Sequence, residues 1–175
     1  MSAAGYSVEG AESFSAPFCQ KGGSGVRVIP MTKDHIPALA AIEAASFAVP
    51  WSAAALEEEL QNPHAAFQVA VDDEERVLGY AGFYCVADEG QIANVAVAPA
   101  ARRRGVAREL LAALDRLAGE RGLYRVTLEV RASNAPAIAL YESAGYIREG
   151  IRPGFYRKPT EDAVLYSRYE TNGKE

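Results

Sequence analysis

Three arginines and a glycine stand where an apolar strand runs into a helical pattern. The segment follows the apolar run that ends at Val97, and it reads Arg102, Arg103, Arg104, Gly105, Val106 and Ala107. The first turn of a helix carries free backbone N–H groups and the positive end of the helix dipole, and both attract anions. Gly105 lets the backbone approach a ligand because it has no Cβ, and Arg108 adds another positive charge. The junction therefore predicts a phosphate-binding loop.

A solvated basic start of a helix would explain the same charges without a ligand. However, cations at a helix N-terminus are unfavourable by roughly 0.3–1 kcal/mol unless an anion offsets them. This cost favours a bound anion. The spacing matches neither GxxxxGK[ST] nor GxGxxG, so the nucleotide motifs of kinases and dehydrogenases do not apply.

The elements around this loop can be predicted from hydrophobic periodicity. A short strand at 27–30 precedes a helix at 34–47 and a second helix that Ser52 caps. Strands at 66–72 and 76–87, separated by the polar DDEE, predict an antiparallel hairpin. The apolar run at 91–97 is typical of a strand covered on both faces.

The second half of the chain predicts a helix, a strand, a short helix and two closing strands. One apolar stripe marks the first helix, with Val106, Leu110, Leu114 and Leu117. Strict alternation marks the strand at 125–131, and Ser133 or Asn134 caps the short helix. The fold class is α/β, with a mixed, mostly antiparallel sheet, flanking helices and a central parallel pair formed by 91–97 and 125–130.

Composition limits the possible functions. The 175 residues fit one domain at 26–170, after a disordered extension at 1–25 and before a tail at 171–175. The net charge of −5 argues against direct nucleic-acid binding, and no apolar run is long enough to span a membrane. Two cysteines provide neither a disulfide framework nor a metal site, so we expect a cytoplasmic protein without a metal.

The motifs resemble those of the GNAT acetyltransferase superfamily. Its pyrophosphate motif, Q/R-x-x-G-x-G/A, matches residues 102–107. Within the superfamily, NVAVAP, LEVRASNAPAIALYESAGY and RPGFYRKPTEDAVLY are similar to the RimI-type ribosomal-protein alanine N-acetyltransferases. The similarity runs from about residue 26 to 169 and implies the GNAT fold, with acetyl-CoA as co-substrate and a peptide α-amine as acceptor.

The resemblance also implies roles for individual residues. Backbone groups of Val95, Ala96 and Val97 would bind the pantetheine arm, and the loop at 103–108 would surround the pyrophosphate. Asn134 would contact the cofactor. Glu129 would accept the proton of the amine, and Tyr141 would donate a proton to the departing thiolate.

These residue types suit the reaction. At pH 7 an α-amine of pKa ~7.8 costs about 1.1 kcal/mol to deprotonate, whereas lysine at ~10.4 costs about 4.6 kcal/mol, so one carboxylate can suffice for an N-terminus. A phenol stays protonated at neutral pH. A bulge beside Asn94 would expose an N–H to the oxyanion. Cys85 lies in an apolar run without a neighbouring His or Lys, which favours direct transfer.

Three functions remain open from the sequence. The first is acetylation of an alanine-starting protein N-terminus, with a small-subunit ribosomal protein as the partner. The second is acetylation of lysine or a small-molecule amine, and the third is a non-catalytic acetyl-CoA-binding module. Phe47, Trp51 and Tyr156 lie in segments that flank the expected acceptor groove, where packing would explain them equally well. The sequence leaves the oligomeric state open.

Overall fold

The computed structural model describes residues 25–169, in which seven strands and four helices follow one another in the predicted order. The strands are β1 (Arg27–Pro30), β2 (Ala65–Val71), β3 (Val77–Val86), β4 (Glu89–Val97), β5 (Arg125–Arg131), β6 (Ile147–Arg157) and β7 (Thr160–Tyr169). The helices are α1 (Ile36–Ser46), α2 (Ala53–Gln61), α3 (Val106–Glu120) and α4 (Ala135–Ser143). The predicted extension and tail lie outside the described residues, apart from residue 25.

The strands form one sheet in the order β1-β2-β3-β4-β5-β7-β6. β4 and β5 run parallel and are joined through α3, and every other neighbouring pair is antiparallel. The predicted fold class and the central parallel pair are confirmed. The α3 connection is required because adjacent parallel strands cannot be joined by a short turn.

Two apolar clusters cover the two faces of the sheet. One contains the buried stripe of α3 with Val126, Leu128 and Val130 of β5 and Tyr141 of α4. The other joins α1 and α2 to Phe67, Val69, Tyr80 and Ala96, among other residues of β2, β3 and β4. The alternation predicted for β5 is confirmed, so its odd-numbered residues point away from the α3 face.

Local capping explains where two of the helices begin. The Ser52 side chain accepts a hydrogen bond from the Ala55 N–H at 3.1 Å, as predicted for α2. At the start of α4, Asn134 is the cap, and its Oδ1 accepts from the Ala137 N–H at 3.2 Å. α3 instead starts after Gly105, whose φ of 81° is left-handed.

The strand at 91–97 has an apolar cluster on each face, with Ile92 buried on the α3 side and Ala96 on the α1 side, but its coverage is less complete than expected. Ala93, Asn94, Val95 and Val97 are only partly buried. The reason is that β4 and β5 pair over three positions, from Glu89 opposite Arg125 to Gln91 opposite Thr127. Beyond them β4 keeps β3 as its partner and β5 keeps β7, so a wedge opens between the two parallel strands.

Candidate active site

The wedge between β4 and β5 has Val95, Ala96 and Val97 on one strand and Glu129 on the other. Its β4 side carries a bulge, because Gly82 pairs with Asn94 and Phe83 with Ile92, which leaves Ala93 without a partner in β3. The bulge expected beside Asn94 is therefore present. Such a bulge interrupts the ladder and frees a backbone group for another partner.

The three β4 residues predicted to bind the pantetheine arm follow this bulge. Val95 and Val97 belong to the margin of the α3-side cluster, while Ala96 is buried on the α1 side. All three pair with β3, which fixes the β4 backbone on one edge. The other edge faces the wedge, where an extended ligand could pair with it.

The phosphate-binding loop leads from the end of β4 to the start of α3. Gly105 O accepts from the N–H groups of Arg108 (3.0 Å) and Glu109 (3.1 Å), so the N–H groups of Val106 and Ala107 precede the first bonds of the helix. Nothing lies within 4 Å of where a Cβ of Gly105 would stand. Val106 is buried, so it can offer only its backbone to a ligand.

The four arginines of the loop are all exposed but differ in what they contact. Arg102 donates from Nε to Val97 O at 3.2 Å and from Nη2 to Ser46 Oγ at 3.0 Å. It therefore connects the loop to β4 and to the end of α1. Sequence reasoning did not separate this role from that of Arg103, Arg104 and Arg108.

Glu129 lies on β5, two residues past the last pair that β5 forms with β4. Its carboxylate accepts from Gln91 Nε2 at 3.3 Å and from Arg152 Nη1 at 3.2 Å, and 14% of its side chain is exposed. As an odd-numbered residue of β5 it points toward the face that α1 and α2 cover. The side chain is thus held at the mouth of the wedge.

Tyr141 approaches the sheet from the opposite face. It is buried in the α3-side cluster together with Ala137 and Ala144, and its ring packs edge to face on Tyr146 with 5.8 Å between centroids. Burial, with a smaller contribution from nearby Tyr156, raises the pKa of the Tyr141 phenol to about 12. The phenol therefore stays protonated at neutral pH.

The β6–β7 hairpin closes the wedge beside Glu129. Arg131 lies 4.3 Å from the centroid of the Tyr156 ring and donates to Glu161 at 3.1 Å. Glu161 also accepts from the Ser133 N–H at 2.5 Å, and these contacts lower the pKa of its carboxyl. Burial and the charge of Glu129 raise the pKa of Tyr156. The loop that carries Asn134 is thereby tied to the hairpin.

Sequence reasoning missed a buried polar cluster on the α1 side of the wedge. Glu43 is 1% exposed, and its carboxylate accepts from Trp51 N–H, Tyr80 Oη and Asn94 Nδ2 at 2.8, 2.5 and 2.6 Å. Burial and the bond to Glu43 raise the pKa of the Tyr80 phenol. The sequence did contain one signal of this cluster. Glu43 is a carboxylate that stands four residues after Leu39, on the buried face of α1.

Within residues 25–169, no group of three or more His, Cys, Asp or Glu side chains could hold a metal ion. In the same range, no helix is long and apolar enough to cross a membrane.

Comparison with known proteins agrees with this geometry. A family model described as the acetyltransferase (GNAT) family matches residues 36–146. This chain belongs to the GNAT acetyltransferase family. The resemblance and the fold predicted from the motifs are thus confirmed, and the chain is an N-acetyltransferase.

Two relatives and one solved structure narrow the comparison within the GNAT family. The ribosomal protein bS18-alanine N-acetyltransferase of Salmonella typhimurium is 39% identical over 139 residues, which cover 77% of this chain and 91% of the relative. The protein of the same name from Escherichia coli is 38% identical over 134 residues, covering 74% and 88%. The crystal structure of the Escherichia coli ribosomal-protein-S18-alanine N-acetyltransferase aligns with a TM-score of 0.77 at 31% identity, covering 86% of this chain and 97% of that one.

Proposed function

We propose that this GNAT enzyme transfers the acetyl group of acetyl-CoA to the α-amine of an alanine-starting protein N-terminus, with ribosomal protein bS18 as the acceptor. The names of the Salmonella typhimurium and Escherichia coli relatives support the choice of acceptor. The observation that carries the chemistry is that Glu129 lies beside the wedge and points to one face of the sheet, while Tyr141 is buried in the cluster on the other face.

A base and an acid on opposite faces of the sheet suit direct transfer of the acetyl group. The acceptor amine enters from the α1 and α2 side, and Glu129 accepts its proton directly or through a water. The amine nitrogen bonds to the carbonyl carbon of the thioester, and a free N–H at the β4 bulge stabilises the oxyanion. The carbon–sulfur bond then breaks toward the α3 side, where Tyr141 gives a proton to the thiolate. Cys85 takes no part.

The cofactor would lie along the free edge of β4 and end at the start of α3. Val95, Ala96 and Val97 would offer backbone groups to the pantetheine arm. The pyrophosphate would bind the N–H groups of the loop at 103–108, next to the exposed charges of Arg103, Arg104 and Arg108. Since the Oδ1 of Asn134 already caps α4, its amide NH2 is the group left to donate to the cofactor.

An N-terminal acceptor fits the site better than lysine. Releasing the proton of a lysine at pH 7 costs about 3.5 kcal/mol more than releasing that of an α-amine. Glu129 is the carboxylate that lines the mouth of the wedge on the acceptor side, and it already shares its oxygens with Gln91 and Arg152. Because an α-amine is easier to deprotonate than lysine, a weaker base suffices for it.

A CoA-release assay with a peptide panel tests the proposal. We expect turnover of a peptide that starts with Ala-Arg and none of the same peptide with a blocked N-terminus and an internal lysine. Glu129→Gln should lower kcat/KM at least about 100-fold because general-base catalysis is lost. Calorimetric binding of acetyl-CoA should remain within about twofold of the wild-type value, since the carboxylate is remote from the phosphate-binding loop.

Two outcomes would replace the proposal. Turnover of the blocked peptide would show a lysine acceptor. Acetyl-CoA binding without turnover of any amine would show a binding module instead of an enzyme acting on N-termini.

A further inference from the structure

The buried cluster around Glu43 joins two elements that the proposed reaction must keep in register, the α1–α2 loop and the bulge of β4. Glu43 lies near the end of α1, the chain then loops out through residues 47–52, and the backbone of Trp51 returns to donate to Glu43 Oε2 at 2.8 Å. The other oxygen, Oε1, accepts from Asn94 Nδ2 at 2.6 Å. Asn94 is the neighbour of the unpaired Ala93 in the bulge.

Three hydrogen-bond donors converge on the Glu43 carboxylate. Tyr80 Oη donates to Glu43 Oε1 at 2.5 Å and accepts from Asn94 Nδ2 at 2.9 Å, so the three side chains form a closed ring of bonds. Among the described residues, the contacts of the Glu43 carboxylate are these neutral donors and no lysine or arginine. A buried carboxylate without a cation is costly to keep, and replacing such groups by apolar ones is often neutral or stabilising.

The location of the ring indicates what the charge does. Asn94 fixes the β4 backbone beside the bulge that would bind the thioester oxygen. Trp51 fixes the α1–α2 loop, in which Phe47 and Val49 are exposed and which the proposed function assigns to the acceptor. One carboxylate therefore sets the spacing between the acceptor loop and the bulge.

We propose that Glu43 is a positioning residue for acetyl transfer, which holds the bulge of β4 and the α1–α2 loop in one fixed geometry through Asn94 and Trp51. This inference rests on the proposed function, since that function assigns the bulge to the thioester and the loop to the acceptor. Glu43 itself is fully covered and does not touch either substrate.

Exchanging the carboxylate of Glu43 and the amide of Asn94 tests the inference. Glu43→Gln turns an acceptor oxygen into a donor that faces other donors, and Asn94→Asp sets two carboxylates against each other. The double variant restores the bonds. In the double variant, the amide oxygen at position 43 accepts from the Trp51 N–H, and the amide NH2 donates to the carboxylate at position 94. That carboxylate also accepts from the Tyr80 hydroxyl. The buried charge moves across the ring without being lost.

The measurements are kcat and peptide KM, expressed per active site as titrated by acetyl-CoA calorimetry. We expect Glu43→Gln to lower kcat about tenfold and raise the peptide KM about tenfold, because it disturbs the buried bonds to both the β4 bulge and the α1–α2 loop. The double variant should recover both values to within about threefold of wild type. A merely structural role would lower the melting temperature and the titrated fraction but leave the per-site constants unchanged.

Tyr80→Phe is the matched control. It removes one hydroxyl and leaves the direct bonds from Asn94 and Trp51 to Glu43, so kcat and KM should stay within about threefold of wild type. If Glu43→Gln does not fold, Asn94→Ser breaks the same link while Glu43 keeps Trp51 and Tyr80. That variant must then lose kcat with a smaller change in peptide KM.

Wild-type constants in Glu43→Gln, or a double variant at least as impaired as the worse single one, would overturn the inference. Failure of the proposed acceptor is distinguishable, because it appears in the wild-type enzyme itself. If the wild type does not use the proposed acceptor, the bulge can still be tested by binding, because acetyl-CoA has the thioester oxygen and CoA lacks it. The preference for acetyl-CoA over CoA must then fall in Glu43→Gln and recover in the double variant.

Discussion

The phosphate-binding loop and the wedge recognise parts of the same expected cofactor by different means. In the loop, Gly105 has open space around it and the arginines are exposed, so we expect the backbone N–H groups to provide most of the contacts with a ligand. In the wedge, Glu129, Tyr141 and Glu43 are largely buried, and Glu129 and Glu43 are held by hydrogen bonds. Under the proposed function, binding at one end would depend on backbone conformation, and chemistry at the other would depend on fixed side chains.

This contrast predicts that changes in the wedge alter kcat and that changes in the loop alter cofactor affinity. Among the variants considered next, Tyr141→Phe should have the largest effect. Loss of a general acid lowers kcat by about 100-fold or more, with acetyl-CoA affinity nearly unchanged because the ring remains in place. Single-turnover measurements with titrated sites would show the loss.

Tyr146→Phe is the control for Tyr141→Phe, since it removes a hydroxyl from the ring that packs on Tyr141 and should keep kcat within about threefold. The pKa of about 12 adds a second readout. An acid with a raised pKa stays protonated as the pH rises, so kcat of the wild type should not fall between about pH 8 and 10. A decline in that range would contradict the role of Tyr141.

Gly105→Ala should have an intermediate effect, confined to affinity. An alanine at the φ of 81° costs roughly 1–2 kcal/mol, and a loop that relaxes from this conformation binds acetyl-CoA about tenfold more weakly. Gly122→Ala is a matched control at the other end of α3, with a φ of 68° and equally open surroundings. If both variants lost the same acetyl-CoA affinity, the cause would be backbone strain in general and not the conformation of the phosphate-binding loop.

Arg103→Gln and Arg104→Gln should have the smallest effects. Each removes one exposed charge and should weaken acetyl-CoA binding about two- to fivefold at low salt, with the difference shrinking as salt is raised. Arg116→Gln, an exposed arginine elsewhere on α3, should leave the affinity unchanged. A salt-independent loss would show that these arginines shape the loop and do not attract the phosphate by charge.

Sequence reasoning placed the elements correctly where the signal is local. Gly105 and its arginines are contiguous, Ser52 precedes its helix directly, and the alternation of β5 separates Glu129 from Val130 without knowledge of the fold. Such features depend on neighbours in the chain, whose geometry follows from periodicity and capping.

It failed where the partners are distant in the chain. Glu43 meets Tyr80 and Asn94 across separations of 37 and 51 residues, and Arg152 meets Glu129 across 23. The apolar run of β4 predicted more complete coverage than the structure has, because periodicity cannot show that a parallel neighbour pairs over three positions and then diverges. Tertiary geometry decides these contacts.

The short pairing of β4 with β5 also has a thermodynamic consequence. The sheet is two blocks, β1 to β4 and β5 to β7, joined by three residue pairs and by the packing of α3. A ligand that fills the wedge bridges both blocks and binds the folded chain alone. By mass action it adds about 2.7 kcal/mol to the free energy of unfolding when present at about a hundred times its Kd. If acetyl-CoA binds there as proposed, its concentration would set the stability of the folded chain as well as the rate of acetyl transfer.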